Sequence, residues 1–267
     1  MTLRLRPQEP DAEGVVIDVT PESAGWSYVG FRVVRLAPGA RYAGGEAGRE
    51  VCIVLASGRA TISAGDRIFR SIGGRTTVFD GPPISLYVPA GVGYDIEAHT
   101  PVEIAICSAP GLGNRAVHLI AAEDVGLETR GSGTNMRFVR NILPDTSDVA
   151  EALLIVEVVT PGGHWSSYPP HKHDADAWPD ETQLEESYWH RTRHPKGFAF
   201  QRVYTDDRSL DETMTIEDGD VVLVPRGYHP VAAAHGHDLY YLNVMAGPRR
   251  AWRFTEDPAF RYDVAVD

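Results

Sequence analysis

The sequence predicts an all-β protein, on three observations. Short runs of β-type residues recur along the whole chain, turn signals separate them, and stretches with helical periodicity are scarce. The runs fall at residues 14–19, 31–36, 51–56, 85–88, 102–107, 153–159, 221–224 and 239–244, with APGA, SAGD, TPGG and EDGD among the intervening turns. The 26 glycines and 19 prolines would break a helical bundle, whereas tight turns between strands use them. Residues 206–214 offer one helical turn at most. Short strands at this spacing form a sandwich or a barrel.

Bulk composition narrows the function. At 43% hydrophobic and 23% charged, the 267 residues are globular rather than disordered. A net charge of −12 excludes a basic footprint for nucleic acid, although a local arginine can still hold a small carboxylate. No apolar run approaches the roughly 20 residues needed to span a bilayer. The first residues, MTLRLRPQEPDAEG, lack the apolar stretch of an export signal, so a cytoplasmic protein is expected. Cys52 and Cys107 lie in apolar runs and are expected to be buried, reduced thiols.

A diverged repeat organises the chain. Pro38-Gly39 matches Pro161-Gly162, Gly65-Asp66 matches Gly219-Asp220, and Val88-Pro89-Ala90-Gly91 matches Val224-Pro225-Arg226-Gly227. The interval from Pro161 to Pro225 is 13 residues longer than that from Pro38 to Pro89, and the polar segment 174–185 has the right size to be the insertion. Its removal places Glu186 opposite Glu50. The expected units are residues 1–128 and 129–267.

Chemistry concentrates in the second unit. In a strand, residues i and i+2 share a face, so His171 and His173 of YPPHKHD would aim both imidazoles at one point and turn Lys172 outward. Glu186 opens the strand-like EESYWH, and His229 follows a Pro-x-Gly turn in VVLVPRGYHP. Three imidazoles and a carboxylate suit a borderline divalent ion: Zn²⁺, Mn²⁺, Fe²⁺ or Ni²⁺. Glu185 is the alternative to Glu186, since adjacent strand residues face opposite ways and only one can serve. The first unit has Glu50 and a Pro-x-Gly turn but no His-x-His, and Tyr94 stands where the last histidine would be; its metal motif is lost. His99, His118, His190 and His194 are expected at the surface. His235 and His237 fall in a loop, and His164 at a rim.

His-x-His, a downstream Glu, and Pro-x-Gly followed by His resemble the cupin pattern, with a longer gap from His173 to the glutamate and a shorter one from Gly227 to His229. The runs SSYPPHKHD, LEESYWHR, GFAFQRVYTDD, LDETM, DGDVVLVPRGYHPV and DLYYLNVMAGP resemble the 5-deoxy-glucuronate isomerase family of bacterial myo-inositol catabolism, itself close to the 5-keto-4-deoxyuronate isomerases. The resemblance implies a bicupin, two tandem jelly-roll-like cupin barrels, and an aldose–ketose isomerisation of 5-deoxy-D-glucuronate to 5-dehydro-2-deoxy-D-gluconate. A divalent metal would polarise the carbonyl in either an enediol or a hydride-shift route. Glu185, Tyr188, Asp206 and Tyr241 are candidates for proton transfer, and Arg202 for the substrate carboxylate. Asn243 or Tyr241 could meet a sugar hydroxyl. The expected partner is a small sugar acid, and a homo-oligomer is compatible with the apolar content. An Fe²⁺-dependent cupin dioxygenase and a non-enzymatic sugar-acid-binding bicupin are the competing readings; turnover without oxygen separates the first from an isomerase.

Overall fold

The computed structural model describes residues 2–261. These residues are mostly β-strand, in five sheets whose pairings are all antiparallel. In the first half, a six-stranded sheet runs in the order His118–Ile120, Ser85–Val88, Arg49–Ser57, Val102–Pro110, Gly30–Leu36, Val15–Val19. It faces a four-stranded sheet of Arg41–Gly44, Tyr94–Ala98, Arg59–Ala64 and Arg67–Gly73. In the second half, the large sheet runs Arg4–Leu5, Val221–Val224, Glu185–Thr192, Leu239–Ala246, Leu154–Thr160, Arg137–Leu143, Gly126–Arg130. Its small partner is Trp165–Ser166, Val231–Ala233, Ala199–Tyr204, Asp211–Ile216.

The expectation of two tandem cupin-type barrels is corrected here: every sheet is open and none closes on itself. Large and small sheets meet through side chains, not through a continuous ladder. Where the chain passes from Arg49–Ser57 to Arg59–Ala64 it turns at Gly58, whose φ of +83° suits glycine and whose added Cβ would lie 2.2 Å from the Pro101 carbonyl oxygen. That corner interrupts the hydrogen bonding that closure would require.

The two large sheets also pack against each other, giving four layers: small, large, large, small. Cys52, Val54, Ala105 and Cys107 of one large sheet share a core with Ile155, Trp189, Tyr240, Leu242 and Val244 of the other. Burial on both faces explains why VCIVLA reads as an unbroken apolar run and LYYLNVMA as one broken only by Asn243. The outer sheets alternate instead, as Arg59–Ala64 does. Both cysteines are buried free thiols.

Two glutamates tie the halves together reciprocally. The Glu50 carboxylate accepts from the backbone N–H groups of Glu151, Ala152 and Leu153 at 2.7–2.8 Å, and from the Tyr87 hydroxyl at 2.6 Å. The Glu185 carboxylate accepts from Ser27, Tyr28 and Val29 N–H at 2.6–3.0 Å. Ladder register makes these two residues counterparts. Val51 pairs with Val88 and Glu186 pairs with Val224, so Glu186 corresponds to Val51 and Glu185 to Glu50. The sequence alignment of Glu186 with Glu50 is one residue out of step. A third link is Glu157, buried between Arg75 of the first half and Arg140.

Candidate metal centre

The site grows from the inner face of Glu185–Thr192. Alternation sends Glu186, Tyr188 and His190 into the space between large and small sheets, while Glu185 and Trp189 face the other half. Opposite lies His171–Lys172, which pairs with Thr255–Glu256. His171 and His173 turn inward, and Lys172 turns outward to Asp206 at 2.5 Å. His229 enters from the turn at Gly227, whose φ is +90° and whose added Cβ would lie 2.4 Å from the Tyr204 carbonyl oxygen. Only glycine fits that turn comfortably.

One ring nitrogen from each of His171, His173 and His229 lies within 4.8 Å of the others. Glu186 Oε2 is 3.1 Å from His173 Nε2 and 3.2 Å from His229 Nε2. The Nδ1 atoms face backbone carbonyls: Pro169 at 3.4 Å, Leu184 at 3.1 Å and Gly227 at 2.9 Å. Nδ1–H donation to those carbonyls leaves the Nε2 lone pairs pointing inward, the arrangement a metal-binding imidazole needs. His229 Nε2 has no aligned hydrogen-bond partner. The Asn243 amide donates to the other oxygen of Glu186 and fixes its orientation. Inward lone pairs beside a carboxylate repel one another unless a cation joins them, so this donor set fits a divalent ion of the borderline class.

Electrostatics agree with that reading at Glu186 and His171, whereas at His173 the Glu186 carboxylate favours a proton that a cation would have to displace. Burial opposes the charge on Glu186, but the His229 and His173 imidazoles outweigh it and hold the carboxylate down to about 2. Burial, reinforced by the two neighbouring imidazoles, keeps His171 well below the ordinary histidine range and therefore neutral. Burial also opposes charge on His173, yet its hydrogen bond to Glu186 raises it. Burial, with Glu186 nearby, pushes the Tyr188 phenol well up; burial raises Tyr241 too. Both phenols are proton donors at neutral pH.

A cavity of about 380 Å³ opens beside the histidines, lined by Arg137, His171, Tyr188, Tyr241, Asn243 and Glu256 among others. Of the residues expected there, Tyr188 and Tyr241 are present, the Tyr188 hydroxyl 2.9 Å from Ser167 Oγ. Glu185 is spent on the backbone of residues 27–29. Asp206 is 64% exposed, bonded to Lys172 and to the Tyr228 hydroxyl. Arg202 lies outside the cavity lining, with both oxygens of Asp211 taking its guanidinium at 2.7 Å. His190, expected at the surface, is fully buried, with Nε2 2.9 Å from Gln201 Oε1. His164 Nδ1 donates to the Met136 carbonyl at 2.9 Å. Sequence reasoning passed over Arg137 and Glu256. Arg137 opens a strand whose Phe138 faces out against the apolar pattern, and Glu256 sits in a two-residue strand, so neither carries a periodicity that marks it in the sequence.

Among the described residues the molecule is thus a pair of open β-sandwiches with one histidine cluster able to hold a metal ion, in the second. The chain belongs to the KduI/IolB family, whose profile matches residues 3–262. It is 54% identical over 250 residues to the 5-deoxy-glucuronate isomerase of Geobacillus kaustophilus, covering 93% of this chain and 90% of that protein. With the 5-deoxy-glucuronate isomerase of Listeria innocua the identity is 48% over 260 residues, covering 96% and 95%. The crystal structure of an IolB-like protein from Salmonella typhimurium superposes with a TM-score of 0.95 at 47% identity, over 98% of both chains. Oxalate decarboxylase from Lactobacillus farciminis, at 14% identity, a TM-score of 0.66 and coverage of 96% and 88%, shares the fold alone.

Proposed function

We propose that this chain is an aldose–ketose isomerase that converts 5-deoxy-D-glucuronate to 5-dehydro-2-deoxy-D-gluconate, with a divalent ion held by His171, His173, Glu186 and His229. The observation that carries this reading is the convergence of three Nδ1-anchored histidines and one carboxylate on one another, with His171 of that set lining a sugar-sized cavity. The kinship with 5-deoxy-glucuronate isomerases supports the substrate.

When bound, the ion acts as a Lewis acid toward charge that develops on the carbonyl oxygen. The residues supply the rest. Asn243 holds Glu186 in place, and the backbone carbonyls behind the three histidines fix their tautomers. Tyr188 and Tyr241, kept protonated by burial, present phenolic O–H groups to substrate oxygens from the cavity wall. Valines 139, 156 and 158 give the cavity an apolar side.

Repeated Pro-x-Gly turns and the matched positions of Glu50 and Glu185 support two related units divided near residue 128, with Arg4–Leu5 and the strand Gly126–Arg130, which spans that point, both paired into the large sheet of the second. A cytoplasmic setting fits the free buried thiols. No helix among the described residues is long and apolar enough to cross a membrane.

The test is an oxygen-free isomerisation assay with 5-deoxy-D-glucuronate on metal-loaded and chelator-treated protein. Turnover that disappears with the metal and returns on reloading is expected. Absence of turnover by the loaded protein, or a requirement for oxygen, defeats the reading.

A further inference from the structure

We propose that Arg137 is the anchor for the substrate carboxylate, and that it orients the sugar so that its carbonyl end meets the histidine cluster. This rests on the isomerase reading above and names the residue that selects a sugar acid over a neutral sugar.

Three observations carry it. First, Arg137 lines the same cavity as His171, Tyr188 and Tyr241, at the start of Arg137–Leu143. Val139, two residues on in the same strand, faces the same way and belongs to the core beneath the site. Second, the guanidinium is held but not neutralised. Nη1 donates to the carbonyls of Asn135 and Tyr168, each at 3.1 Å, and Arg137 forms no ion pair among the described residues. The cavity's other arginines are committed: Arg130 to Glu128 at 2.7 Å, and Arg253 to Asp145 at 3.1 Å. Burial lowers the Arg137 guanidinium from the ordinary arginine value, the mark of a cation partly stripped of water without a carboxylate in return. Third, the free edge of the fork can take a carboxylate with two parallel N–H donors, a geometry that lysine cannot reproduce.

Charge across the cavity sets the direction. Glu256 pairs in register with His171, so an acid group is disfavoured beside the histidines. Arg137 is felt electrostatically by Tyr241, which stands in register with His190 on the Glu186 strand. A sugar acid bridging the cavity therefore places its carboxylate at Arg137 and its other end toward Glu186 and the histidines, with the two phenols alongside.

The test compares 5-deoxy-D-glucuronate with 5-deoxy-D-glucose, which carries a hydroxymethyl in place of the carboxylate, on the metal-loaded wild type, Arg137→Met and Arg137→Lys. Arg137→Met is expected to lower kcat/KM for the acid about 10- to 100-fold, mostly through KM. The preference for acid over neutral sugar should collapse toward parity, with metal content unchanged. Arg137→Lys should fall between, because it keeps the charge and loses the fork; it also carries the test should the methionine variant misfold. Undiminished preference for the acid in a folded variant overturns the assignment while the isomerase reading stands. A metal-loaded wild type that turns over neither sugar overturns both.

Discussion

The two halves place different residues at matched positions of the same strand. Arg49–Ser57 has Glu50, Val51 and Leu55 where Glu185–Thr192 has Glu185, Glu186 and His190. The outward glutamate is common to both, and each reaches across to three N–H groups of the other half. The inward positions differ completely: apolar in the first half, ionisable in the second. Contacts between the halves lie on one face of this strand and the proposed metal ligand Glu186 on the other, and alternation lets the two vary independently.

Substitutions that make the second half resemble the first should have the largest effect. Glu186→Val installs the residue of the first half and should abolish metal retention, lowering activity roughly a thousand-fold or more. Metal analysis and kcat decide it, and a variant that keeps its ion refutes the four-residue site. The shared face comes next. Glu185→Gln and Glu50→Gln each replace a charged acceptor of three backbone N–H groups, and each should cost about 2–4 kcal/mol in chemical denaturation while metal binding persists. If Glu185→Gln instead loses metal at unchanged stability, the roles of the adjacent glutamates have been exchanged.

The smallest effect concerns pH. Burial depresses His190 from 6.5 to about 4. Between those values the unfolded chain binds a proton that the folded one refuses, so its contribution is present above pH 6.5 and is lost as pH falls toward 4. That loss is roughly 3 kcal/mol at most. His190→Leu, the residue of the first half, should flatten this part of the stability–pH curve of the metal-free protein. A slope identical to wild type would mean that other groups govern the window.

Much of this was legible in the sequence, for physical reasons that also mark where legibility ends. A period of two set His171 and His173 on one face and Lys172 on the other. The same rule, applied to alternately buried Ala199, Gln201 and Val203, already turns Arg202 outward, so its position at Asp211 follows from local pattern. The choice between Glu185 and Glu186 was not readable, because a strand buried on both faces has no polar side to fix its phase. Barrel closure was not readable either. It depends on whether edge strands meet in space, and no local pattern encodes that. Arg137 escaped notice because an arginine at a strand end looks like a solvated one until its neighbours are known.

The strand Arg4–Leu5 lies on the open edge of Val221–Val224, next to the strand that bears Glu186, and Arg4 bonds to Asp220, 216 positions away. During synthesis on the ribosome this segment emerges long before its pairing edge exists. The sheet beneath the cavity is therefore completed late in translation, and a bulky fusion placed immediately ahead of Arg4 would be felt first in the half that holds the histidine cluster.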